Sequence, residues 1–124
     1  GIEVAASSAP DYKGDADLVD PEEAFTASLS SCHMLTFLAV AAKSRKTVLS
    51  YTDNAIGYLE KNDEGIECMT RVTLQPVVVF ADDVVVSQEQ LTALHEKAHK
   101  HCFIANSVNT LVETDLSKQF AERD

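Results

Sequence analysis

Cys32 and Cys102 are the residues whose surroundings point to covalent chemistry. Cys32 lies in Leu29-Ser30-Ser31-Cys32-His33-Met34-Leu35, and Cys102 in His99-Lys100-His101-Cys102-Phe103-Ile104-Ala105-Asn106-Ser107. They stand 70 positions apart, so no local zinc-finger spacing accounts for them. Two thiols, each in a polar patch of an otherwise apolar helical pattern, suit redox chemistry. A thiolate attacks and becomes a sulfenic acid, and a second thiol traps it as a disulfide.

Each thiol also has an inert reading. Cys32 lies twelve residues past the start of its helix, too far for the helix dipole to help it. Apolar surroundings would raise its pKa, so an attacking thiolate needs a cation brought in by the fold. His33, Lys13 and the His99, Lys100, His101 cluster are the candidates. Without one, Cys32 is a small buried residue. Cys102 ends a helix. If a new turn begins at Phe103, its free amides favour a thiolate; if not, the helix carbonyls oppose one. Cys68 reads as core packing. His95 and His99, spaced i, i+4, with His101, Cys102, Cys32 and His33, are the rival metal donors, but no CxxC or HExxH accompanies them. Ser30-Ser31 lacks the Gly-x-Ser-x-Gly setting of a nucleophile.

The elements that must position these residues follow from pattern. Asp20-Pro21-Glu22-Glu23 is a helix start, with a cap at Asp20, proline at the first position and Glu23 completing a capping box. Apolar positions Phe25, Leu29, Cys32, Leu35, Ala39 and Ala42 continue it, and residues 34–42 are apolar on nearly every face. A helix over 21–43 results. Residues 48–61 and 66–80 read as two strands joined by the turn Asn62-Asp63-Glu64-Gly65, with Pro76 marking an edge or a bulge. Ser87 and Gln90 open a second helix with the stripe Leu91, Leu94, His95, Ala98 and Cys102. A final strand spans 108–116, followed by a polar tail to Asp124. The chain begins Gly1-Ile2-Glu3-Val4, and Ile2-Glu3-Val4 reads as the end of a strand begun upstream. The order gives an α+β fold in a single domain over 1–124.

Bulk properties bound the partners. Of the 124 residues, 45% are apolar, enough for a packed core. The net charge of −10 repels nucleic acid and anionic membranes. No unbroken apolar run reaches the ~18 residues of a membrane span, and no secretory signal pattern is present. Three cysteines are too few for a secreted disulfide scaffold, so a cytoplasmic setting is expected.

Asp20-Pro21-Glu22-Glu23-Ala24-Phe25, Ser28-Leu29-Ser30-Ser31-Cys32-His33 and His101-Cys102-Phe103-Ile104-Ala105-Asn106-Ser107 together resemble the OsmC/Ohr family, the osmotically inducible protein C and organic hydroperoxide resistance proteins. The resemblance covers about residues 10–116. It implies thiol-dependent reduction of organic hydroperoxides, without a cofactor or a metal, in an intertwined α+β homodimer. In that homodimer a long central helix and a second helix pack on an antiparallel sheet. It gives Cys32 the peroxidatic role, Cys102 the resolving role and Glu22 a carboxylate role, with an external dithiol as reductant. Glu22 and Cys32 are ten residues apart on one helix, about 15 Å of rise, so they meet only off the helix axis or across the dimer. Family members carry an Arg upstream of the Pro-Glu motif and extra N-terminal strands. Here no Arg precedes Arg45, and Lys13 is the one cationic side chain before Cys32. Lys13, fixed by Glu22, is therefore the expected activating cation, without the bidentate fork of Arg. Phe103 stands where a Pro is common. Phe25, Met34, Phe37, Leu38 and Phe103 would line an apolar pocket suited to organic hydroperoxides. The missing Arg supports an alternative, a non-enzymatic member that senses redox state or binds a small molecule.

Overall fold

Asp20 starts the long helix α1, Pro21–Lys43. Its carboxylate accepts a hydrogen bond from the Glu23 amide at 2.7 Å, and the Glu23 carboxylate accepts one from the Asp20 amide at 3.1 Å. Pro21 sits at the first helical position, where a missing N–H leaves nothing unpaired. The computed structural model describes residues 1–121. Thr26, Leu29, His33, Phe37 and Ala41 form the buried face of α1. Ala24, Ala27, Ser31, Leu35, Ala39 and Ala42, at the same helical spacing, are exposed. Its most apolar 18 residues have a mean hydropathy of 1.4, enough by length and composition to cross a bilayer, and 28% of that window is buried. Alanines and hydroxyl residues break the apolar run of α1 without lowering its average far.

The two long strands of the sequence reading are four: β1 Val48–Asp53, β2 Ile56–Lys61, β3 Glu67–Leu74 and β4 Pro76–Phe80. One long hairpin bends at facing corners. β1 pairs antiparallel with β4 and β2 antiparallel with β3, so Asp53 faces Pro76 and Ile56 faces Thr73. The corner is stitched: Asp53 Oδ1 accepts from the Gln75 amide at 2.7 Å, and Gln75 Nε2 donates to the Asn54 carbonyl at 2.8 Å. Pro76, which has no N–H to give a ladder, opens β4 at this corner. Val72, Leu74, Pro76 and Val78 stay buried through the bend, so alternate residues keep one inner face across it.

Helix α2, Gln88–His101, opens on the expected box between Ser87 and Gln90 and buries Leu91, Leu94, His95 and Ala98. The last strand, β5 Leu111–Thr114, is shorter than expected and pairs parallel with β3, because the chain returns to the sheet through α2. Of the expected polar tail, residues 117–121 form helix α3, Ser117–Ala121, and residues 122–124 lie outside the described residues. Gln119 in α3 accepts from the Val78 amide at 2.6 Å and donates to the Val78 carbonyl at 3.1 Å. Residues 2–4 are not a strand; the N-terminal segment makes one isolated parallel bridge, Ala6 to Val19. The result is α+β, with α1 and α2 packed on a strongly bent hairpin.

Two apolar clusters flank the middle of α1. Phe37 and Ala41 join Val78, Leu91, Leu94 and Ala98, while Leu29 joins Val72 and Leu74. Between them α1 touches α2 through two buried imidazoles. His33 Nε2 and His95 Nδ1 are 2.9 Å apart, with the rings 6° from parallel. One ring donates and the other accepts, so the accepting ring is neutral, and two charged rings cannot make the contact. Burial holds His33 down to about 4, aided by His99 and opposed by Asp53. Burial holds His95 down to about 3, aided by His33. In an unfolded chain both titrate near ~6.5. Below that the unfolded chain takes up protons that the fold refuses, so stability is intact at pH 7 and falls as the pH drops towards 4. The limiting slope is about 1.4 kcal/mol per pH unit for each imidazole. Urea midpoints between pH 7 and pH 5 should therefore fall more steeply for the wild type than for His95→Leu. Equal slopes would show that the pair does not carry this dependence.

Candidate active site

The packing of α1 on α2 brings the two thiols together. Cys32, half-buried in mid-α1, and Cys102, buried at the C-cap of α2, are both free, and each acts on the other's titration. Their titrations are pushed apart. Burial raises Cys32, but the Ile104 amide, the Cys102 thiol, the Phe103 amide and the Thr36 hydroxyl favour its thiolate, and the net shift is downward. Burial raises Cys102, and donation of its proton to Cys32 raises it further, against the amides of Ala105 and Ile104. The pair is thus ordered: of the two, Cys32 loses its proton more readily. The Thr36 hydroxyl also donates to the Cys32 carbonyl at 2.8 Å.

The turn after α2 is the structural reason. Residues 103–104 form a turn and 105–107 a single 3-10 turn. Such a restart leaves backbone amides without helical partners. The sequence reading raised this possibility for Cys102; its main beneficiary is Cys32, across the helix contact. Thr36, Phe103 and Ile104 were not singled out as acting on Cys32. Thr36, one turn after Cys32, was legible as a local neighbour, whereas the two amides are not a residue type and left no signal.

Glu22 and Lys13 are placed elsewhere. Glu22 is the second residue of α1, so about 15 Å of helix separates it from Cys32 within one chain. Its Oε2 is buried without a hydrogen-bond partner among the described residues. It borders a cleft of about 610 Å³ that also holds Asp20, Ser30, Met34, Tyr51, Asp53 and Met69. Cys32 does not line that cleft. Lys13 is exposed at the left-handed end of the turn Pro10–Tyr12 and is not among the groups that chiefly set the Cys32 titration. The expected apolar pocket is also rearranged. Phe37 is fully buried against His95 and Tyr51, and Leu38 packs on the same core. Phe103, 81% exposed, and Leu35, 62% exposed, are the apolar side chains open to solvent near the thiols. Cys68 is half-buried on β3. Among the described residues no three His, Cys, Asp or Glu side chains form a group able to hold a metal ion.

No curated protein matches the chain. Among solved structures, an OsmC-like protein of unknown function from Vibrio cholerae O1 biovar eltor is similar at 50% identity and a TM-score of 0.90, over 93% of this chain and 77% of that one. An organic hydroperoxide resistance protein from Elizabethkingia anophelis shares the fold at 22% identity and a TM-score of 0.73, over 91% and 77%. Another from Legionella pneumophila does so at 17% identity and a TM-score of 0.69, over 91% and 80%. The family of OsmC-like proteins matches residues 14–117, a stretch holding both thiols and the turn between them and β5, and the chain belongs to that family.

Proposed function

We propose that the protein is a thiol-dependent peroxidase that reduces organic hydroperoxides to alcohols. What supports this reading is the divided pair: Cys32, whose titration is shifted down, beside Cys102, whose titration is shifted up. The Cys32 thiolate attacks the distal peroxide oxygen, the O–O bond breaks, and Cys32 becomes a sulfenic acid. The departing alkoxide takes the proton of Cys102 and leaves as the alcohol. The Cys102 thiolate then attacks the Cys32 sulfur, forming the disulfide and releasing hydroxide, and an external dithiol restores both thiols. Exposed Phe103 offers apolar contact to an organic peroxide, which supports that substrate class over hydrogen peroxide. A reducing, cytoplasmic setting suits a cycle that must regenerate free thiols.

The working form in this reading is a homodimer. The open stripe of α1, mostly alanine and serine, suits close packing of a second helix, with Leu35 as its one large apolar side chain. Glu22 reaches the Cys32 environment only from the other subunit, and its unpaired buried oxygen is free to accept a donor there. Lys13 is the cation for that role. The competing reading, a redox-sensing or ligand-binding domain without turnover, draws on the lack of a cation beside Cys32.

Three measurements test these assignments. With dithiothreitol as reductant, the wild type should consume cumene hydroperoxide catalytically. Cys32→Ser should abolish consumption, and Cys102→Ser should permit one stoichiometric oxidation. A wild type that takes up one equivalent and stops would favour the sensor. Lys13→Met should slow Cys32 alkylation by iodoacetamide at neutral pH if Lys13 assists across the dimer; unchanged alkylation would remove Lys13 and leave the backbone amides as the activating groups. Sedimentation should give a dimer at micromolar concentration, shifted towards monomer by Leu35→Glu. A stable wild-type monomer would count against the shared site.

A further inference from the structure

Two side chains stand behind the turn that faces Cys32. Asn106 Nδ2 donates to the carbonyls of Lys100 and Cys102, each at 3.0 Å. The Ser107 hydroxyl donates to the Phe103 carbonyl at 2.7 Å. A peptide unit is planar and stiff, and in its trans form the C=O and the following N–H point in opposite directions. No cis peptide occurs here. The Cys102 carbonyl therefore shares one plane with the Phe103 amide, and the Phe103 carbonyl shares the next with the Ile104 amide. Those two amides are the ones that act on the Cys32 sulfur.

We propose that Asn106 and Ser107 are positioning residues for Cys32: by holding the rear carbonyls of two successive peptide planes, they aim the front amides at its sulfur. A rotated plane would present a carbonyl oxygen to the sulfur and disfavour a thiolate. A pinned carbonyl also polarises its own peptide unit, strengthening the N–H at the other end. Asn106 adds a second effect. The Lys100 and Cys102 carbonyls belong to the negative end of α2, and a donor on them weakens the field that opposes a thiolate nearby. The backbone reinforces the arrangement, with the Asn106 amide donating to the Cys102 carbonyl at 3.1 Å and the Ser107 amide to the Ile104 carbonyl at 3.0 Å.

This inference rests on Cys32 as the attacking thiolate, yet its test needs no peroxide. Alkylation by iodoacetamide is followed against pH on the full chain, with Cys32, Cys68 and Cys102 read separately by peptide mass. Asn106→Ala should move the Cys32 midpoint to higher pH and slow its alkylation at pH 7 about three- to tenfold, half to one pKa unit. Ser107→Ala should move it in the same direction, and Ser107→Thr, which keeps the hydroxyl, should restore it. Cys68 should keep its profile, and buried Cys102 should stay slow, reporting an intact fold. If Asn106→Ala exposes Cys102, Ser107→Ala decides, since it removes one hydroxyl from an exposed side chain. An unchanged Cys32 midpoint in folded Ser107→Ala overturns the proposal, as does a Ser107→Thr variant that behaves like Ser107→Ala. Failure of the wild type to turn over peroxide would overturn the peroxidase reading and leave this alkylation profile standing.

Discussion

Everything at the thiol site depends on one contact, the packing of α1 on α2. Cys32 has no activating neighbour of its own helix beyond the Thr36 hydroxyl. Its other partners come from α2 and the turn that follows. The contact is made at its centre by His33 and His95, which match as hydrogen-bonding groups only while one of them is neutral and accepts. Apolar clusters on either side fix the approach of the two helices, and the imidazoles fix their register. Because His33 follows Cys32 directly and His95 lies two turns before Cys102, the same register that pairs the rings pairs the thiols. A slip of one residue in either helix would break both pairs.

Among the described residues of one chain, the groups that favour a thiolate at Cys32 are dipoles rather than a nearby full charge. A Lys or Arg beside the sulfur would stabilise a thiolate strongly, but at the cost of desolvating a second charged group. Two peptide amides and a thiol proton supply a gentler field that is already part of the backbone. They require only that the turn hold its shape. This moves the demands of the site from charge to geometry.

Local chemistry made the helices readable from sequence. Both capping boxes lie where Asp20 and Ser87 place them, because each is closed by residues three positions apart. The hairpin was readable as a length of strand but not as a bend. The bend comes from Asp53 and Gln75, which meet only after the strands have paired. The parallel partner of β5 and the helix α3 were hidden for the same reason, being settled by tertiary contacts. At the site, motif order pointed to Cys32, Cys102 and Glu22, and the structure brings the first two together. The groups that set the sulfur's titration were less visible. Backbone amides have no letter in a sequence, and Asn106-Ser107 looked like nothing more than the end of a helix.

Gln119 shows how the fold guards itself. Its side-chain amide copies a peptide unit, giving one acceptor and one donor to Val78 of β4. That is the pairing a strand from another molecule would have made there. An open strand rich in valine, as β4 is with Val77, Val78 and Val79, is a ready template for aggregation. A short helix carrying one amide closes the template at its middle residue with two bonds. Among the described residues, that helix takes the place of a further strand beside β4.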